Sequence, residues 1–236
     1  MNALSAKLHE FLLDKGASLC GFADLNGIVE GGLYSGVSVA VRLPIPILQS
    51  IKEGPSRAYF DAYHAINEKL DGLVTAGAEY LQAMGYRVHA QTRANVQEHP
   101  GHRTDLPHKT VATRAGLGWI GKSALLVTRE FGPAIRLSSL LTDAPLSAGE
   151  PIDHSLCGGC TACVDHCPGQ AIFGKLWDVS MDRDEFFDAD ACRKAARALS
   201  ANLLHEEITL CGKCIEVCPY TRGYMRRSME NERGML

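Results

Sequence analysis

Eight of the nine cysteines in this 236-residue chain fall between Cys157 and Cys218, at spacings that suit redox metal chemistry. The first group reads Cys157-Gly-Gly-Cys160-Thr-Ala-Cys163-Val-Asp-His-Cys167-Pro168. Three thiols two residues apart let one tight loop reach three corners of a [4Fe–4S] cubane. The fourth thiol, before a proline, lies too far along and ligates a second cluster in this type of run. The half-repeat Cys211-Gly-Lys-Cys214-Ile-Glu-Val-Cys218-Pro219 supplies the cysteines a second cluster needs. Exchanging the fourth ligands gives Cys157, Cys160, Cys163 and Cys218 for cluster one. Cluster two then takes Cys167, Cys192, Cys211 and Cys214. Eighteen residues separate Cys192 from Cys211, so a separate segment, read as a helix start, must deliver it. A disulfide framework or structural zinc would be the bland readings of eight cysteines. Zinc sites rarely use a three-thiol run with prolines closing both halves, although eight cysteines suit two four-ligand sites of either metal.

Other residue types bear on chemistry upstream. Residues 92–109 form a polar loop rich in ionisable groups, including His99, His102, Asp105, His108 and Lys109. Proton transfer needs titratable side chains on a positionable segment, and solvation is the plain alternative. Ala115-Gly116-Leu-Gly118-Trp119-Ile-Gly121-Lys122 satisfies G-x-G-x-x-G. A dinucleotide fingerprint needs a strand before it and a helix after it. Here a short helical run precedes it and a strand reading 123–128 follows, so that reading fails. What remains is a glycine-dense turn whose bare backbone can approach a large flat ligand.

Periodicity supplies the elements that position these groups. Leu4, Leu8, Phe11 and Leu12 share one face of a helix over 2–15, ended by Gly16. Strands are expected at 18–23, 37–44, 86–91 and 134–143, and beside the cysteines at 171–173. Prolines 44 and 46 are read as closing the second of these. Tyr59, Tyr63, Ile66, Leu70, Leu73, Gly77, Tyr80 and Met84 mark one stripe of a long helix from about Ser56 to Met84. Gly72 and Gly77 within it mark a bend or a close neighbour. Residues 145–151 are the expected linker and 192–205 a further helix. The tail carries Arg222, Arg226, Arg227 and Arg233 and reads as a solvated end. Cys20, apart from the clusters, reads as a buried strand thiol.

Composition is that of an ordinary globular protein, 46% hydrophobic and 22% charged. A net charge of −3 gives no whole-protein electrostatic case for nucleic acid or an anionic membrane. No apolar run spans a bilayer and no signal-peptide core appears. Reduced thiols without an export signal place the protein in the cytoplasm.

The segment 115–122, the strand ending Leu141-Thr-Asp-Ala-Pro145 and the two cysteine sets together resemble the epoxyqueuosine reductase family, whose core is shared with the reductive dehalogenases. The resemblance covers roughly residues 15–225. It implies an α+β chain: a nitroreductase-like α/β domain over 1–148, then a ferredoxin-like domain with two [4Fe–4S] clusters over 149–236. It also implies cobalamin, with Gly116, Gly118, Trp119 and Lys122 near the corrinoid and electrons passing from cluster to cobalt to substrate. Flavin is the second reading of the pocket, because the nitroreductase-like fold is elsewhere a flavin fold. The family's catalytic aspartate lies some fourteen residues before the first turn glycine. Asp105 lies eleven residues before Gly116, so Asp105, His108 and Lys109 compete for the role of acid. The chain ends seventeen residues after Pro219, without the family's C-terminal helical repeats, which puts a tRNA substrate in doubt. The resulting expectation is an iron–sulfur oxidoreductase acting on a small or nucleoside-like molecule. A ferredoxin- or flavodoxin-type donor would feed it, with no membrane partner. The alternative is a ferredoxin-type electron carrier with no catalytic cofactor of its own.

Overall fold

A computed structural model describes residues 1–233, with side chains described through Glu230, so the side chain of Arg233 lies outside the described residues. The chain forms two compact units: residues 1–42, 65–118 and 136–153, and residues 43–64, 119–135 and 154–236. The expected single boundary at 148/149 lies close to the last changeover. It does not capture segments 43–64 and 119–135, which group with the cysteines.

The first unit is built on a four-stranded sheet ordered β1-β2-β6-β3, with β1 Leu19–Asp24, β2 Ser35–Arg42, β3 Val88–Ala90 and β6 Ile135–Thr142. β1 and β2 run antiparallel with Cys20 opposite Val39 and Phe22 opposite Val37, and β3 pairs antiparallel with β6. Six successive residues of β2 are buried. A strand covered on both faces is buried throughout, here with Val37, Val39 and Val41 on one face and the small Gly36, Ser38 and Ala40 on the other. Helix α1, Ala3–Asp14, begins where the Asn2 side chain accepts from Ser5 N–H, and it buries Leu8 and Leu12 completely. The segment expected to be a linker is docked on this unit instead. Ser147 N–H donates to Ser5 Oγ at 2.8 Å, and Gly149 N–H to Phe22 O at 2.8 Å.

Helix α3, Arg57–Gln82, contributes residues 65–82 to this unit and spans about 39 Å at 1.5 Å per residue. Ile66, Leu70 and Leu73 are buried as the stripe requires. The buried face then turns to Val74, Ala78 and Leu81, and Met84 lies beyond the helix, 49% exposed. The two helix glycines separate cleanly. A Cβ on Gly77 would stand 3.0 Å from Leu140 Cδ2, whereas one on Gly72 meets nothing within 4 Å. Helix α4, His108–Arg114, places Val111 in a small core with Ala23, Leu25, Leu106 and Ala115.

The second unit holds α2, Ile45–Ser50, where the sequence suggested only a strand closed by prolines. Proline in a first helical turn loses no hydrogen bond, so Pro44 and Pro46 start this helix. The two-stranded ribbon of β4, Trp119–Ile120, and β5, Leu126–Val127, pairs Trp119 with Val127. Short helices α5, Ala162–Asp165, and α7, Lys213–Glu216, sit inside the two cysteine runs. Helix α6, Ala189–Leu204, is capped by the Asp188 side chain and carries Cys192 in its first turns. The tail is not a loose end: Pro219–Arg233 is helix α8. The expected strand at 171–173 reduces to a single bridge, Ile172 with Phe187. Segment 43–64 is tied in by Lys213 Nζ donating to Lys52 O at 2.7 Å and Tyr224 OH donating to Leu43 O at 3.3 Å.

Candidate metal centre

The two cysteine runs fold alike because each alternates turn and single-turn helix. Cys160 N–H donates to Cys157 O at 3.2 Å, and Cys167 N–H to Val164 O at 3.2 Å, closing α5 before Pro168. In the second run Gly212 starts α7 with a left-handed φ of 84°, and Cys218 N–H donates to Ile215 O at 3.4 Å before Pro219. All nine cysteines are free thiols, which removes the disulfide framework. Among the described residues no three His, Cys, Asp or Glu side chains are placed to share a single metal ion.

The thiols sort by the neighbours they feel. Burial pushes Cys163 up to about 11, reinforced by Cys157, Cys218 and Cys160. Burial likewise raises Cys192 to about 11, with Cys167, Cys211 and the Asp188 carboxylate adding to it. Cys214 is raised well above the usual thiol range, by burial first and then by Cys211, Cys192, Cys163 and Cys167. Cys218 is raised by burial, opposed by the Tyr220 and Thr221 N–H groups, and feels Cys157 and Cys160. One gathering is therefore 157, 160, 163 and 218, the other 167, 192, 211 and 214, and Cys214 also feels Cys163 of the first. A cavity of about 140 Å3 is lined by the first four thiols together with Cys214, Lys122 and Tyr220. Buried thiols are poor thiolates on their own, so bound iron must displace the protons and stabilise the charge.

Two residues of the glycine-dense turn belong to this centre. Trp119, fully buried, donates its indole N–H to Cys157 Sγ at 3.4 Å and meets the Tyr220 ring edge-on at 5.0 Å. Lys122, 6% exposed, donates to Cys160 O at 2.9 Å. Neither the role of Tyr220 nor the direction of the Trp119 indole was readable from sequence, because both arise from segments far apart in the chain.

The remaining expected site residues lie in the first unit. Gly116, with φ 73°, has no room for a side chain: a Cβ would stand 2.6 Å from Glu150 O. Gly118 is buried. Asp105 is exposed and pairs with His99 Nε2 at 2.8 Å. Lys109 is half-buried near the start of α4. His108 differs from the proton donor expected of it. Its Nδ1 lies 2.8 Å from Ser139 Oγ, whose hydroxyl donates to Gln91 Oε1 at 2.5 Å, while Gln91 Nε2 donates to Leu106 O. The single Ser139 proton is committed to Gln91, so Nδ1 carries the imidazole proton and Nε2 is left as an acceptor. Burial lowers His108 to about 4, helped by Arg136 and opposed by Asp71. At neutral pH this favours the uncharged ring, with Nε2 able to accept a hydrogen bond. Cys20 is buried on β1, and burial pushes its thiol up to about 12, as befits an inert core residue.

The family "4Fe-4S double cluster binding domain" matches residues 156–221. The chain is 31% identical over 170 residues to the epoxyqueuosine reductase of Lactococcus garvieae, covering 69% of this chain and 42% of that protein. The chain is related to the epoxyqueuosine reductases. It spans about half the length of the curated relatives it matches. Its fold is the mixed α/β fold of an epoxyqueuosine reductase solved with an epoxyqueuosine-modified tRNA stem loop. That likeness has a TM-score of 0.60 at 22% identity and covers 94% of this chain and 66% of that one. A reductive dehalogenase structure bearing on B12-dependent dehalogenation matches with a TM-score of 0.67 at 18% identity, over 94% of this chain and 32% of that one. The stem-loop structure corrects the doubt placed on tRNA. That doubt rested on where the chain ends, yet a protein that shares this chain's fold holds a tRNA stem loop. No helix among the described residues is long and apolar enough to cross a membrane.

Proposed function

We propose that this chain is an iron–sulfur reductase of the epoxyqueuosine reductase type, acting on a modified nucleoside carried by tRNA. Eight cysteines hold two [4Fe–4S] clusters: Cys157, Cys160, Cys163 and Cys218 one, Cys167, Cys192, Cys211 and Cys214 the other. The observation that carries this is the sorting of buried thiols into those two gatherings, the crossed pattern the spacing implies. The donor set fits, since each cubane takes one thiolate at each iron corner. When bound, the clusters supply one-electron transfer. The chain's part is to keep eight thiols apart from water and oxidant and to hold Trp119 and Lys122 against the first set. Ligands that must stay reduced fit the cytoplasm, where we place the protein.

Cobalamin is the electron acceptor in this reading, supported by the likeness to the dehalogenase structure, with flavin as the alternative. The residues expected beside it do not supply free groups for it. The indole N–H goes to Cys157, the ammonium to Cys160 O, and Gly116 packs on Glu150 O. Among the loop residues, His108 would accept a hydrogen bond at Nε2, and Asp105 and Lys109 are the remaining candidates for proton delivery.

The test is anaerobic reconstitution, iron analysis, and reaction with a tRNA stem loop containing epoxyqueuosine, with and without cobalamin, under dithionite. Iron near eight per chain and cobalamin-dependent conversion of the nucleoside, followed by mass spectrometry, is the expected result. Full iron without conversion under either condition would leave an electron carrier as the correct reading.

A further inference from the structure

The two cysteine sets are not electrostatically equivalent. The first receives two side-chain contributions from the same short turn. Trp119 directs its indole N–H at Cys157 Sγ, and Lys122 places a buried ammonium on the carbonyl of Cys160. That carbonyl is a neutral partner, and a buried ammonium is costly unless negative charge lies close by. Four thiolates around a cubane carry such charge. Backbone N–H groups of Tyr220 and Thr221 also point at Cys218. The second set has main-chain donors, Ala171 N–H on Cys167 Sγ at 3.4 Å and Lys213 N–H on Cys211, and the Lys213 ammonium acts on Cys211 as well. It also has a carboxylate, Asp188, beside Cys192. The Lys213 ammonium is shared with Lys52 O and with the Glu216 carboxylate, which offsets its charge, whereas Lys122 donates to a neutral carbonyl.

Adding an electron makes a cluster more negative. Donors to its sulfurs and a nearby cation stabilise that state more than the oxidised one, and a carboxylate does the reverse. We propose that Trp119 and Lys122 raise the reduction potential of the cluster held by Cys157, Cys160, Cys163 and Cys218 above that of the other, so that an added electron resides there. The proposal rests on the two-cluster reading above. Its electron balance is simple: the second cluster gives up one electron and the first gains it, with no bond made or broken and no proton moved. An external one-electron reductant supplies the electron, dithionite in the experiment below. Trp119 and Lys122 are thus positioning residues for charge; neither is a ligand.

Wild type, Trp119→Phe and Lys122→Gln are purified anaerobically, analysed for iron, and titrated with dithionite while EPR follows the two clusters. Phenylalanine keeps the ring against Tyr220 and deletes the N–H; glutamine keeps a donor to Cys160 O and deletes the charge. In the wild type, two midpoints are expected. In each variant the higher midpoint falls and the lower one stays, so the gap narrows. The proposal is overturned if the lower midpoint moves instead, if both fall together, or if neither moves. Should Trp119→Phe fail to fold, Lys122→Gln decides alone. Wild-type iron sufficient for only one cluster would overturn the underlying reading, and with it the proposal, before any titration.

Discussion

The two units treat their buried polar groups in opposite ways. In the first, with Ser38 Oγ the exception among the described residues, buried polar side chains find partners in the protein: Ser139 in Gln91, Gln91 in Leu106 O, Ser138 in Gln91 O, Thr142 in Arg87 O. In the second, buried thiols crowd one another and Lys122 faces a carbonyl, an arrangement that is favourable only around a bound anionic cluster. The difference teaches where stability is intrinsic and where it depends on a guest. The sheet unit closes its own hydrogen bonds apart from Ser38 Oγ; the cysteine unit is complete only with iron.

The largest effect should come from removing the guest. Anaerobic chelation of iron is expected to collapse hydrogen-exchange protection over 154–233 while the amides of β1 and β2 stay protected. Equal loss in both units would break the contrast. Single ligand changes come next. Cys160→Ala and Cys218→Ala should each reduce iron from about eight to about four and erase the same EPR signal, whereas Cys214→Ala erases the other. If Cys218→Ala instead groups with Cys214→Ala, the crossed ligation is wrong.

Within the sheet unit, His108 gives a pH signature of smaller size. Its folded value is about 4 against an ordinary 6.5, so between these values the unfolded chain binds a proton that the folded one refuses. Stability therefore falls as pH drops from 6.5 towards 4, by at most about 3 kcal/mol. His108→Gln should flatten that part of a denaturation-versus-pH curve; an unchanged curve would mean His108 titrates normally. The smallest effects concern the glycines. Gly116→Ala should cost about 1–3 kcal/mol in urea unfolding, because its positive φ and the Glu150 carbonyl both exclude a Cβ. Gly27→Ala, with a similar φ of 75° but nothing within 4 Å, should cost about 1 kcal/mol. Equal costs would show that the Glu150 contact adds nothing.

Much of the secondary structure was legible because it rests on local periodicity. The apolar stripe of α3, the strand runs of β1, β2 and β6, and the helix carrying Cys192 all appear where the residue pattern puts them. The failures share a cause. Pro44 and Pro46 serve equally to stop a strand and to start a helix, and only the fold chooses. Pro145–Pro151 has the composition of a linker, yet Ser147 and Gly149 find partners on Ser5 and Phe22. The arginine-rich tail looked solvated, but Tyr224 is buried with its hydroxyl on Leu43 O, anchoring α8.

The sequence by itself determined the metal chemistry of this protein, since thiols two and three residues apart must share one loop whatever the rest of the chain does. It also determined that the loop before the glycine turn would carry titratable groups. Only the tertiary structure decided what those groups can do. His108 becomes an acceptor because Ser139 and Gln91, thirty-one and seventeen residues away, fix its proton. Trp119 and Lys122, expected against a flat cofactor, turn to Cys157 and Cys160, each thirty-eight residues away. Hydrogen-bond direction and burial are set by segments that meet in space, and no local spacing encodes them.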